Sequence, residues 1–147
     1  MEAMLLSDLK KGMEFPEYNY TLTENIIVKY LKGVEESNPL YTDRNYAERG
    51  GFGCLIAPPT TIALYVTPSR VLRAINKKPP PGLLQSGQRF EFNAPVKVND
   101  TVNVRAFIAD VFKKKNRDFV VLKGEVFDSN GILAGSSTLT FIWPTLK

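Results

Sequence analysis

Glu36-Ser37-Asn38-Pro39-Leu40-Tyr41-Thr42-Asp43, followed by Gly50-Gly51-Phe52-Gly53 and then Pro58-Pro59-Thr60-Thr61-Ile62-Ala63-Leu64-Tyr65-Val66, is the stretch on which the reading of the fold turns. The first segment is polar and turn-forming, the second a glycine-rich lead-in, the third almost wholly apolar. Proline suits a helix's first turn, where its missing N–H is no loss, so a helix is expected from about Pro59. A helix apolar all round must be buried. The sequence therefore places it at the centre, with the rest of the chain wrapped about it.

Working outward toward the N-terminus, Glu14 to Tyr20 reads as a first strand, with Pro16 confining its start to an edge. Thr21-Leu22-Thr23-Glu24 has the form of a capping box and predicts a helix behind it. Ile26, Tyr30 and Val34 recur four apart and Ile27 with Leu31 widens the stripe, until Gly33 and Glu35-Glu36-Ser37 end it. Asn38-Pro39 forces a turn, and Asp43 caps a short helix from Arg44 to Arg49 that stops at Gly50-Gly51.

Toward the C-terminus, Thr67-Pro68 interrupts the central helix and Ser69 is placed to cap a further turn or two through Ile75. Lys77-Lys78-Pro79-Pro80-Pro81-Gly82 reads as a stiff loop. Strands follow. Gln88, Phe90 and Phe92 alternate with Arg89, Glu91 and Asn93. Val102, Val104, Ala106 and Ile108 share one face of a long strand to about Phe112, and a basic tip from Lys113 to Asp118 returns the chain into Phe119 to Phe127. Asn130-Gly131 signals a two-residue hairpin before Ile132 to Trp143. The expected fold class is α+β, a single domain over residues 1–147 whose curved antiparallel sheet surrounds one apolar helix.

Bulk properties narrow the function. With 44% hydrophobic and 23% charged residues the composition is that of an ordinary soluble domain, and no run approaches the roughly 18 apolar residues of a membrane helix. The N-terminal residues lack a signal peptide's basic start, so the expectation is a cytoplasmic protein with no membrane role. The sole cysteine, Cys54, allows no internal disulfide, which agrees with a reducing compartment. There is no histidine, which removes the commonest general base near neutral pH and the commonest metal ligand. The net charge is +4, and its densest cluster, Lys113-Lys114-Lys115-Asn116-Arg117, reads as a solvated hairpin tip or as a phosphate-binding patch. A nucleic-acid partner is not expected.

Asn38-Pro39-Leu40-Tyr41-Thr42-Asp43, with Tyr46-Ala47 behind it and Ile56-Ala57-Pro58-Pro59-Thr60 beyond, resembles the MaoC-like, or (R)-specific hydratase/dehydratase, family of hot-dog proteins. Gln85-Ser86-Gly87-Gln88-Arg89-Phe90-Glu91-Phe92 and Pro95-Val96-Lys97-Val98-Asn99-Asp100-Thr101 resemble its later motifs, so the likeness spans nearly the whole chain. It implies a sheet wrapped around a hydrophobic helix. Active members carry Asp-x-Asn-Pro-x-His and activate water for addition across a 2-enoyl thioester. Here Glu36 stands at the aspartate position and Tyr41 at the histidine position. The His-Gly that begins the central helix in active members, and whose glycine amide helps hold the thioester oxygen, is Pro58-Pro59 here. Proline has no N–H to give.

A tyrosine near its reference pKa of about 10 is a poor base at neutral pH, and glutamate's extra methylene displaces the carboxylate where shifts of about 1 Å matter. The Ala-Pro-Pro-Thr wording resembles the non-catalytic half of members built from two hot-dog units. The leading expectation is therefore an acyl-thioester-binding subunit of a heteromeric 2-enoyl-CoA hydratase or 3-hydroxyacyl dehydratase. It needs no cofactor beyond the coenzyme A thioester that is its substrate. Its partner is a homologous catalytic hot-dog subunit, with a homodimer as the other arrangement, and the thioester is carried by coenzyme A or an acyl carrier protein. The alternatives are a self-sufficient hydratase using Glu36, a thioesterase using Asp43 or Glu36, or a non-enzymatic binder of acyl ligands. Glu36 and Tyr41 are the candidate catalytic positions, and Asn38, Pro59, Thr60, Gln85 and Ser86 the candidate substrate-binding ones. Each also has a plain structural reading: Glu36 a solvated helix end, Tyr41 an interface aromatic, Asn38 a turn residue, Pro58 and Pro59 a helix start. Cys54 has no histidine to activate it and an apolar flank, so it is not expected to act as a nucleophile.

Overall fold

The computed structural model describes residues 1–145. Strands β1 (Glu2–Ala3), β2 (Tyr18–Thr21), β3 (Lys77–Lys78), β4 (Leu84–Phe92), β5 (Thr101–Lys114), β6 (Arg117–Phe127) and β7 (Leu133–Trp143) are joined by helices α1 (Glu24–Val34), α2 (Arg44–Arg49), α3 (Ile62–Tyr65) and α4 (Pro68–Arg73). The main sheet is antiparallel with strand order β2-β5-β6-β7-β4, and β1 pairs with β3 in a small parallel sheet.

The period-2 pattern read from β5 is realised: Val102, Val104, Ala106 and Ile108 are buried on the face that also carries Val120, Leu122 and Val126 of β6. Helices α3 and α4 lie on that face, with Ile62, Tyr65, Val66, Val71 and Leu72 buried. Gly124 marks the closest approach, since a Cβ there would sit 2.5 Å from Cγ1 of Val66. Lys115 and Asn116 both take positive φ (50° and 58°), so the basic tip is a two-residue turn twisted to match its strands.

Several local expectations are corrected. The central segment is a 3-10 turn, Pro59–Thr61, running into the four-residue α3. Thr61, Ile62, Tyr65 and Val66 are buried, whereas Pro59 and Thr60 are exposed and Ala63 and Leu64 half-buried. A segment this short rests on the sheet by one side, so the run is not covered all round. The following helix is capped by Thr67, whose Oγ1 accepts from Arg70 N at 3.3 Å, and not by Ser69, because Pro68 occupies the first helical turn. Thr23, not Thr21, caps α1, its Oγ1 accepting from Ile26 N. Thr21 is held in β2 opposite Thr101, and Glu24 pairs with Arg44. The α1 stripe is narrower than the four-residue spacing suggested, with Ile27 and Leu31 buried and Val34 exposed. Its left-handed terminus is Glu35 (φ 57°), with Gly33 still helical.

The first strand is only Tyr18–Thr21, Glu14 contributing a single bridge to Phe107. Lys77–Lys78 is strand, not loop. β4 starts at Leu84, earlier than Gln88. The β6–β7 turn spans residues 128–132: the Asp128 carboxylate accepts from Asn130 N and Ile132 N, each at 2.9 Å, and takes over the role assigned to a tight Asn130-Gly131 hairpin. No helix among the described residues is long and apolar enough to cross a membrane.

Candidate functional site

The turn after α1 is built by its own side chains. Asn38 caps the 3-10 turn Pro39–Tyr41, its Oδ1 accepting from Leu40 N at 3.0 Å. Glu36 bends one carboxylate oxygen back to accept from Ser37 N (3.0 Å) and Asn38 N (2.9 Å). Ile56 N donates to Leu40 O at 3.3 Å, tying this turn to the segment that leads into Pro58. Tyr41 is half-buried against the core, and its pKa is raised by burial, then by the Glu36 carboxylate and Tyr30. The phenol is therefore held protonated at neutral pH, able to donate a hydrogen bond but not to take a proton. Close by, Tyr30 Oη and Thr60 Oγ1 share a hydrogen bond of 2.5 Å, which fastens the start of the central segment to α1.

On the other flank of Pro58-Pro59 lies an apolar cavity of about 300 Å³. Ile62, Tyr65, Val126 and Ala134 form its inner wall, and Phe52, Pro59, Phe92 and Pro95 stand around its mouth. Its two long sides are held together by Ala57 N donating to Val96 O (2.8 Å) and by the Ile56–Lys97 bridge. Gly135 is required in the wall, because a Cβ there would lie 2.4 Å from the Glu91 carbonyl oxygen of β4. Polar groups are few. Thr61 is buried with its hydroxyl donating to Pro58 O at 2.7 Å, so it is already satisfied. Such a lining suits an apolar ligand, and the volume is at the lower end of the size range of small-molecule sites.

Of the residues singled out in the sequence, Pro59 lines this cavity, while Thr60 turns to Tyr30, and Glu36, Asn38 and Tyr41 form the adjoining turn. Gln85 and Ser86 lie elsewhere. They sit near the start of β4, about 20–23 Å along the strand from Phe92, with Gln85 Nε2 donating to Gln88 Oε1 and Ser86 Oγ to Thr140 O, each at 3.3 Å. Phe92, Ala94, Tyr65 and Gly135 of the cavity were not picked out from the sequence. Phe92 ends an alternating strand at 52% exposure, a signal that only burial reveals.

β4 pairs with β7 on one side, and its other edge is unpaired among the described residues. Along all nine residues its side chains are exposed or half-buried, Leu84 at 59%. A long, partly apolar free edge is a template for another strand.

A family model, the FAS1-like dehydratase domain region, matches residues 10–134. The chain belongs to that family. Among relatives of this dehydratase-family chain, a UPF0336 protein of Streptomyces avermitilis is 27% identical over 134 residues, covering 87% of this chain and 88% of that protein. A 3-hydroxybutyryl-CoA dehydratase of Methylorubrum extorquens is 28% identical over 114 residues, covering 71% and 70%. The solved HadBC (3R-hydroxyacyl-ACP dehydratase) complex of Mycobacterium tuberculosis superposes with a TM-score of 0.79 at 22% identity, covering 90% of this chain and 96% of that one. The dehydratase resemblance drawn from the motifs agrees with that family model, and the fold is the hot dog it implied.

Proposed function

We propose that this chain is the acyl-thioester-holding subunit of a heteromeric enoyl-CoA hydratase or 3-hydroxyacyl dehydratase, working in the cytoplasm with a homologous hot-dog subunit that carries the Asp/His pair. The observation that carries the reading is a formed apolar cavity beside a turn whose polar side chains partly hold its own backbone. Glu36 spends one oxygen on its own turn, Tyr41 is held protonated, and Pro59 has no amide to offer a thioester oxygen.

Hydration needs a base to take a proton from water as its oxygen attacks C3, an acid to deliver one to C2, and a donor at the thioester oxygen. In this reading all three come from the partner. This chain supplies the dry slot that fixes the acyl group and the edge that positions the partner. Antiparallel pairing along β4 would cover Leu84 and Phe92 and bring the start of the partner's equivalent strand toward the cavity mouth, while Gln85 and Ser86 of this chain would reach the partner's site. HadBC, solved as a complex, is the precedent.

The test is co-expression with a homologous chain bearing Asp-x-Asn-Pro-x-His, with hydration of a short and a long 2-enoyl-CoA measured for each chain alone and for the complex. Activity confined to the complex is expected. A partner as active by itself as in the complex would remove this chain from the reaction.

A further inference from the structure

The basic hairpin tip between β5 and β6 takes no part in the cavity or in the Glu36–Tyr41 turn, and the pairing across the sheet shows what stands behind it. Leu84 of β4 lies opposite Ile142 of β7, Ile142 opposite Phe119 of β6, and Phe119 opposite Phe112 of β5. Val120 and Phe141, their chain neighbours, are buried in the core, so alternation turns this row of four to the other face of the sheet, away from α3 and α4. Phe112 and Phe119 stack with ring centroids 5.1 Å apart and planes 4° from parallel, and Phe112 is 38% exposed and Leu84 59%. Two residues farther along the strands, Lys114 and Arg117 lie opposite one another on that same face, and Lys115 stands in the turn. Lys113 pairs with Asp118 at 3.7 Å, whereas Lys114, Lys115 and Arg117 are exposed and have no carboxylate partner among the described residues. An apolar row edged by unpaired cations is complementary to a surface that is anionic outside and hydrocarbon within. Other occupants fit less well. Nucleic acid would meet the cations, but Ile142 and Leu84, the aliphatic half of the row, offer a base neither a ring to stack on nor a donor or acceptor. A second copy related by a two-fold axis at the row would bring the two cationic tips to within about 15 Å of each other, like charge facing like.

We propose that this end of the sheet docks the protein reversibly on an anionic lipid surface, with Phe112 at the headgroup boundary and Lys114, Lys115 and Arg117 against the phosphates. The inference does not depend on the proposed function. The tip lies three strands from the β4 edge and stays open when that edge is paired. It revises the expectation of no membrane role, which came from the want of a spanning run, since lying on a surface needs none. Each cation held at an anionic surface strengthens binding about fivefold, so the three together give roughly a hundredfold preference for anionic over neutral lipid.

The test is co-sedimentation of the full chain with sucrose-loaded vesicles of phosphatidylcholine, alone or mixed with phosphatidylglycerol, across a salt series. Binding to the mixed vesicles that is roughly a hundredfold weaker on phosphatidylcholine alone, and that falls as salt rises, is the result expected. Lys115→Gln, at an exposed turn position, should weaken it about fivefold. Phe112→Thr should weaken it at every salt concentration and leave the salt dependence as it was, because the apolar contribution is not screened. Equal binding to both kinds of vesicle, or to neither, overturns the proposal, and so does wild-type affinity in both variants. Self-association of the chain that Phe112→Thr abolishes would assign the row to a second copy, and tighter binding to a single-stranded oligonucleotide than to the mixed vesicles would assign the tip to nucleic acid. Either result also overturns it.

Discussion

The Glu36–Tyr41 turn and the cavity under Pro58–Tyr65 meet along one segment, tied by the Ile56–Leu40 hydrogen bond, yet their polar atoms are used in opposite ways. In the turn, Glu36 commits one carboxylate oxygen and Asn38 its Oδ1 to holding backbone amides, so chemistry-bearing residue types serve in part as scaffolding. The cavity has few polar groups and remains open. On the proposed function, binding an acyl chain and reacting with it are separable, and this chain supplies the first. Variants on either side of that division sharpen it.

The largest effects belong to the cavity side. Gly135→Ala must push β4 from β7, since its Cβ would meet the Glu91 carbonyl, and Gly124→Ala must displace Val66; each should cost about 2–3 kcal/mol in urea unfolding. Gly135→Ala should also weaken fatty-acid binding, because it deforms the wall. Asn38→Ala, on the turn side, removes a cap and should cost about 1 kcal/mol.

Alkaline titration probes the floor under α3. Tyr18 donates to Tyr65 O at 2.6 Å, and burial, opposed by Arg70 and by a backbone hydrogen bond with Thr67, pushes its pKa up to about 12. A phenol whose folded pKa exceeds the unfolded value of about 10 contributes stability that is full below pH 10 and lost as pH rises toward 12. Burial also raises the pKa of Tyr65, so the two share the loss. Stability should stay flat through neutrality and fall across that window. Tyr18→Phe should shrink the fall and cost about 1 kcal/mol at pH 7 for the lost hydrogen bond. The smallest effect on the lone chain is Leu84→Lys on the free edge, within about 0.5 kcal/mol, yet sedimentation of the mixture should show weakened association with the partner.

Much of this was legible in the sequence because it rests on local rules. Alternation gave the face of β5, Asp43 and Asn38 cap where their side chains dictate, and the motif order pointed to the hot dog. The errors came where tertiary contacts override local ones. Thr21 looks like a cap until Thr101 pairs with it across the sheet, and the apolar run after Pro59 looks wholly buried until its length limits it to one contact face. The cavity was only partly legible, because Phe92, Tyr65 and Gly135 are distant in sequence and share a wall only through the pairing of β4 with β7 and the packing of α3.

The most direct measurement of the central claim is hydration of a 2-enoyl-CoA by the purified chain alone, with ligand binding followed in the same sample. Saturable binding without turnover, unchanged in Glu36→Gln, is the result expected. Turnover by the lone chain that disappears in Glu36→Gln would contradict the account and make Glu36 the base.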